Sequence, residues 1–217
     1  MNRAEAGIVD LPKGGFFKYP GEAKPTLAYI ESVKVHPDFN KKTLENNLAV
    51  LRLAMPFDFA KTDGNLSNIC MPTTPVNDEN DDEKLFVSGW GAGIVGTDLR
   101  KQLQIRPAKI VDCPTGGSYN KNEFCVTQEF DSDDNDDDDD DDDATATTTE
   151  TNMESMNEQP QQCEGDMGGP LFNVADTGST LFGIASRGTN CTTDNPMIFT
   201  DIFPYLQWIE ESSKPYY

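Results

Sequence analysis

An all-β fold, with two packed antiparallel barrels and one C-terminal helix, is what this 217-residue sequence predicts. Three observations carry that expectation. Short apolar runs recur between clusters of turn-forming residues, as in folds built from many short strands. Within those runs, apolar and polar side chains alternate with the two-residue period of a half-buried strand. Helical spacing is legible only near the C-terminus.

The first 24 residues read as an irregular segment, because Pro12-Lys13-Gly14-Gly15 and Tyr19-Pro20-Gly21 are turn signals. A folded domain is expected over 25–217. Val33 and Val35 alternate with Ser32 and Lys34, which predicts a strand. Leu48 to Leu53 forms an apolar run broken by Arg52, and Leu85 to Val87 leads into the turn Gly89-Trp90-Gly91. The closing helix is expected from about Phe203 to Ser212, where Tyr205, Trp208 and Ile209 share one face suited to core packing.

Charge is distributed unevenly. The chain has 38 acidic and 17 basic residues, a formal net charge of −21. Residues 126–162 supply 15 acidic side chains and no basic ones, centred on Asp136, Asp137, Asp138, Asp139, Asp140, Asp141, Asp142 and Asp143. That composition cannot bury enough apolar area to offset its ordering entropy, so the insertion is expected to be disordered. It offers calcium a diffuse atmosphere of carboxylates but no specific site, since the glycine-punctuated spacing of an EF-hand is missing. So acidic a chain repels nucleic-acid phosphates. No apolar stretch is long enough to span a membrane as a helix.

Five cysteines point to an oxidising compartment. No stretch after Met1 reads as a secretion signal, so the native N-terminus is expected to be missing from this sequence, the alternative being a natural short isoform. Asn65-Leu66-Ser67 and Asn190-Cys191-Thr192 match the acceptor pattern for N-glycosylation.

The chemistry-bearing motif is Gly165-Asp166-Met167-Gly168-Gly169-Pro170. It resembles the nucleophile loop of trypsin-like serine proteases, with methionine in place of serine. Other landmarks follow in family order from about Tyr29 to Trp208. Glu45-Asn46-Asn47-Leu48-Ala49-Val50-Leu51 resembles the segment carrying the triad aspartate, here Asn47. Val87-Ser88-Gly89-Trp90-Gly91 resembles the strand opening the second barrel, and Gly183-Ile184-Ala185-Ser186-Arg187-Gly188 a later strand of it. The His-Pro turn and the Ile69-Cys70-Met71-Pro72 segment look like the invertebrate clip-domain branch.

The resemblance implies a double six-stranded antiparallel β-barrel, with an incomplete, N-terminally truncated first barrel to about residue 80 and a second barrel over 81–217. It also implies a site without its reagents. A thioether sulfur carries no proton and forms no acyl-ester intermediate. The only histidine, His36, lies in a His-Pro turn, where a structural role is expected rather than that of a base. Asparagine for the triad aspartate costs on the order of 10⁴ in turnover, and loss of the nucleophile on the order of 10⁶, without the losses adding.

The backbone amides of Gly165 and Met167 fall at oxyanion-hole positions, and Asp166 at that of the acid that pairs with a newly cut N-terminus in active relatives. The specificity pocket falls on Gln161, Gln162, Ser186, Arg187, Gly188 and Met197, with Met197 filling a wall where glycine is usual. The resemblance pairs Cys113 with Cys125 and Cys163 with Cys191. A further family disulfide would join the positions of Leu85 and Asn173. Cys70 is left over, its partner either in a missing segment or another molecule, or else it is a buried free thiol.

These readings imply a secreted homologue that acts by binding, as cofactor, decoy or regulator of an extracellular protease cascade. Its partners would be proteases or their zymogens, and it would need no cofactor. Two alternatives stand beside it: a serine-type endopeptidase, and an acidic extracellular protein associated with calcium or mineral.

Overall fold

The computed structural model describes residues 3–9, 25–62, 64–76, 84–91, 102–128, 166–175, 178–188 and 196–214. The chain runs β1 (Arg3–Ala6), β2 (Thr26–Val35), β3 (Ala49–Leu53), β4 (Leu85–Gly89), β5 (Gln104–Val111), β6 (Glu123–Gln128), β7 (Pro170–Asn173), β8 (Thr180–Arg187), β9 (Met197–Asp201) and α1 (Leu206–Ser213).

Strands β4 to β9 close into the expected six-stranded barrel, in the order β4-β5-β6-β9-β8-β7 with every pair antiparallel. Closure leaves no unpaired edge. Inward side chains from alternate positions fill it, chiefly Val87, Leu171, Phe182, Met197 and Phe199. Glycine is needed at Gly183, where a Cβ would stand 2.6 Å from the Phe124 ring.

The first unit is a three-stranded antiparallel sheet, β1-β2-β3, among the described residues. β2 carries an irregularity between Ile30 and Ser32, beyond which Val33 lies opposite Leu51 and Val35 opposite Ala49. The reading of residues 1–24 as wholly irregular is corrected by β1, whose Arg3 to Ala6 pair with Tyr29 to Thr26. Arg-Ala-Glu-Ala has no β-branched or aromatic residue, so this strand comes from pairing with β2 and not from local propensity. The two turn signals at 12–15 and 19–21 lie outside the described residues.

The closing helix forms where periodicity placed it, with one refinement. Phe203–Tyr205 is a 3-10 turn and α1 begins at Leu206. Pro204 suits that first turn, since it has no N–H to leave unsatisfied. Tyr205 is buried with Leu48 and Ile202, and Trp208 and Ile209 pack against them.

Cys113 and Cys125 form a disulfide with Cα atoms 5.2 Å apart. Cys163 and Cys191 lie outside the described residues. Leu85 and Asn173, where a family disulfide is replaced, are direct cross-strand partners of β4 and β7. The Asn173 side chain turns instead to β8, its Oδ1 accepting the Thr180 N–H at 2.9 Å.

Cys70 has an exposed free thiol, which corrects the alternative of a buried one. Its backbone is tied to the start of β8, donating to Ser179 O and accepting from the Leu181 N–H, both at 2.9 Å. That fixed strand-like position leaves Sγ at the surface beside Gly178. Cys70, Met71, Leu85, Asn173, Thr180 and Phe182 help to line a groove of about 250 Å³.

Candidate functional site

The site is assembled where the loop before β7 meets the end of β8 and the approach to β3. Two glycines shape the loop. Gly168 has φ +87°, which an L side chain rarely adopts. A Cβ on Gly169 would stand 2.8 Å from Asp166 O and 3.0 Å from Ser88 O, so only glycine fits. The Gly168 N–H donates to Ala185 O at 2.8 Å, the Gly169 N–H to Asp166 O at 2.8 Å, and the Ala185 N–H to Gly169 O at 2.9 Å. The nucleophile loop is thus a tight turn bonded to β8.

Asp166 is 4% exposed, and its Oδ1 accepts the Gly91 N–H at 2.8 Å. The carboxylate therefore ties the loop to the Gly-Trp-Gly turn after β4. The neighbouring Trp90 indole N–H donates to Val9 O at 2.9 Å, which links this corner to the chain beyond β1.

Met167 stands at the loop apex, 46% exposed. Its side chain lies over the end of β8, where a Cβ on Gly188 would meet Met167 Cε at 3.3 Å and Met197 Cγ at 4.0 Å. Met197 itself is 8% exposed and belongs to the barrel core. Two flexible thioether side chains thus converge on the one glycine, packing the space that its missing side chain would otherwise leave open.

From the sheet side comes Asn47, and its placement has a local cause. Asn46 adopts a left-handed φ of 54°, which asparagine tolerates better than most residues. Its side chain donates to Asp38 O at 3.0 Å and accepts from the Tyr205 hydroxyl at 2.8 Å. The Leu48 N–H closes a tight turn onto Asn46 O at 2.8 Å. So braced, Asn47 reaches across to β8, where its Nδ2 donates to Ser186 Oγ at 3.0 Å. The side chain at this position is an amide donor with no negative charge, and the serine it meets is buried.

Arg187 is turned into a two-pronged pair with Glu123 of β6, at 2.6 Å (Nη1 to Oε1) and 2.7 Å (Nη2 to Oε2), and donates to Ser118 O at 3.0 Å. Burial by itself would raise the Glu123 carboxyl, but the Arg187 guanidinium and the Asn120 N–H hold it below its ordinary value. Sequence reasoning placed Arg187 at the pocket and missed its partner. A lone acid in Asn122-Glu123-Phe124 gives no signal that it faces a cation across two strands.

Among the described residues, no contact brings His36 to the loop. Its ring packs on Tyr205 and Trp208, with centroids 5.3 and 4.8 Å away, and its Nδ1 accepts the Asp38 N–H at 3.3 Å. The structure thus unites Asp166, Met167, Ser186, Gly188 and Met197 with Asn47. Gly165, Gln161, Gln162 and Asn190 lie outside the described residues, as do Asp136 to Asp143. No group of three or more metal-ligating side chains occurs among the described residues. No helix among them is long and apolar enough to cross a membrane.

Closed barrel, glycine-braced loop and closing helix agree with one family, and the trypsin family model matches residues 19–209. The chain belongs to the trypsin family. It is 28% identical over 197 residues to phenoloxidase-activating factor 3 of Holotrichia diomphalia, covering 85% of this chain and 47% of that protein. It is 27% identical over 205 residues to rat tissue-type plasminogen activator, covering 90% of this chain and 32% of the relative. With the CLIP domain-containing serine protease B9 of Anopheles gambiae the identity is 24% over 198 residues, covering 88% and 41%. This trypsin-family chain therefore spans less than half the length of these three relatives.

Proposed function

We propose that this chain is a non-catalytic serine protease homologue that works by binding, as a cofactor, decoy or regulator of an extracellular protease cascade. One observation carries the reading: a thioether stands at the apex of an otherwise well-formed nucleophile loop and lies over Gly188. Nothing there can be deprotonated and acylated. Asn47 supports the same reading, because an amide supplies no negative charge to orient and stabilise an imidazolium.

What the fold keeps is shape. The loop, the barrel and the aromatic closure around Tyr205 preserve a protease-like surface that a protease or zymogen can recognise. Two relatives are named as a phenoloxidase-activating factor and a CLIP-domain serine protease, and from those names we take the class of cascade. The net charge of −21 would draw basic partner surfaces at long range. Cys70 offers a surface thiol through which a partner or a further segment could be held by a disulfide.

The test is direct. Purified chain is treated with a fluorophosphonate probe and with peptide esters, and no adduct and no turnover are expected. Met167→Ser is expected to stay inert as well, because the one histidine of this sequence, His36, packs on Tyr205 and Trp208. A probe adduct located between residues 165 and 170 of the wild-type chain would overturn the reading. Its binding half is tested by the activation rate of a trypsin-like zymogen with and without the chain. Deleting Asp131 to Asp143 should leave that effect in place, whereas an acidic mineral-binding role would be lost with it.

A further inference from the structure

We propose that Asn65 carries an N-linked oligosaccharide. The acceptor pattern occurs twice in the sequence, at Asn65-Leu66-Ser67 and Asn190-Cys191-Thr192, and the described structure gives the first a suitable setting. It lies on the surface connection between the 3-10 turn Phe59–Lys61 and the bridge at Cys70. Gly64, at φ +80°, reverses the chain, and the Asn65 N–H closes the turn onto Thr62 O at 2.8 Å. Leu66 is half-buried and anchors the segment, its Cδ2 lying 3.4 Å from where a Cβ on Gly7 would stand. On either side of that anchor Asn65 and Ser67 are exposed, and Ser67 donates to the neighbouring Asn68 carbonyl at 3.2 Å.

Both groups that the modification needs are thus presented together, outside any strand. In the transfer, Asn65 Nδ2 attacks the anomeric carbon of a lipid-pyrophosphate-linked oligosaccharide. The new N–C bond forms as the C–O bond to pyrophosphate breaks, one amide proton is lost, and the lipid pyrophosphate leaves. The compartment that supplies such a donor is the one in which the Cys113–Cys125 disulfide forms, so the inference rests on the extracellular reading.

The full chain, placed behind a cleavable secretion leader in insect cells, is collected from both medium and cells and checked for the Cys113–Cys125 disulfide. Peptide N-glycosidase converts a glycosylated asparagine to aspartate, so peptide mass spectrometry is expected to read aspartate in place of Asn65 after that enzyme and not before. Asn65→Gln and Ser67→Ala should each abolish the gel shift at this site, and Ser67→Thr should keep it. Ser67→Ala retains Asn65, which guards against a folding effect of the first variant. Disulfide-bonded chain with unmodified Asn65, or with a glycan at Asn190 alone, would sink the proposal. Chain kept inside the cell yet glycosylated at Asn65 would support the site and count against the extracellular reading.

Discussion

The two halves of this molecule are built from the same kind of strand and end in different states. In the barrel β4 to β9 every edge is paired, and Leu171 and Phe199 are almost wholly removed from water. In the sheet β1-β2-β3, Val33, Val35 and Leu51 present apolar side chains to solvent, Leu51 with 55% of its surface exposed. Yet the candidate site draws on both. The barrel supplies the loop, the glycines and Ser186, while the sheet side supplies Asn47. A closed unit thus carries the scaffold, and a less buried unit is held against it by the burial of Leu48 with Ile202 and Tyr205 and by polar and aromatic contacts. Most of the rigidity behind Met167 must therefore come from the barrel.

The comparison breaks most easily in the two cores. Leu171→Ala deletes a fully buried side chain and is expected to cost about 2–5 kcal/mol, as large-to-small core changes do. Leu51→Ala, on the exposed face of the sheet, should stay within about 0.5 kcal/mol. Urea unfolding midpoints of the two variants check this. Equal losses would mean that the sheet face is covered in solution, and the contrast between the halves would be gone.

Next in size is the Arg187–Glu123 pair, which holds the last residue of β8 against β6. Removing one partner of a buried pair strands the other, so Glu123→Gln should cost about 2 kcal/mol, below the usual range because Arg187 keeps the Ser118 carbonyl. The pH dependence has a definite sign. The folded-state carboxyl titrates below the ordinary 4.5, so its stabilisation is complete above that value and is lost as the pH falls through the lowered one. Wild type and Glu123→Gln should therefore differ at pH 7 and converge in acid. A gap that persists unchanged well into the acid range would rule out the ion pair as its source.

Legibility in the sequence followed the same division. The barrel could be read because its strands carry family landmarks and alternate apolar side chains, and the helix because Tyr205, Trp208 and Ile209 recur at helical spacing. β1 could not, since Arg3-Ala4-Glu5-Ala6 has no intrinsic strand preference and takes its form from β2. At the site, Met167, Asn47 and Met197 were singled out from family landmarks, and the structure places Asn47 on Ser186 and both methionines on Gly188. The turn that aims Asn47 was not legible, because it depends on a left-handed Asn46 gripped by a tyrosine 159 residues away. Long-range polar contacts such as this one and Glu123–Arg187 leave no local pattern.

That grip sharpens the comparison at the seam. Tyr205→Phe removes the hydroxyl that donates to Asn46 and accepts from Asn122 at 3.1 Å, while keeping the ring that packs on His36. The expected loss is about 1–2 kcal/mol, since two partners lose a hydrogen bond in a partly buried place. Hydrogen exchange should report it locally, with faster exchange at Leu48 and unchanged protection of the barrel amides of β7 and β8. Loss of protection throughout the barrel would show that the two halves unfold as one.

The smallest effect belongs to the cations that tether the sheet to the end of the helix. Arg52 donates to Ser213 O at 2.9 Å and Lys214 O at 2.6 Å, and Lys34 Nζ to Ser212 O at 3.1 Å. These are the carbonyls that α1 leaves without intrahelical partners, and they carry the negative end of its dipole. Arg52→Met keeps most of the apolar stem and removes the charge, so the loss should be about 0.5–1 kcal/mol and should shrink as salt is added. Thermal unfolding at low and high ionic strength measures both. If the loss were salt-independent, the arginine would be acting through packing alone, and the attachment of sheet to helix would be apolar rather than electrostatic.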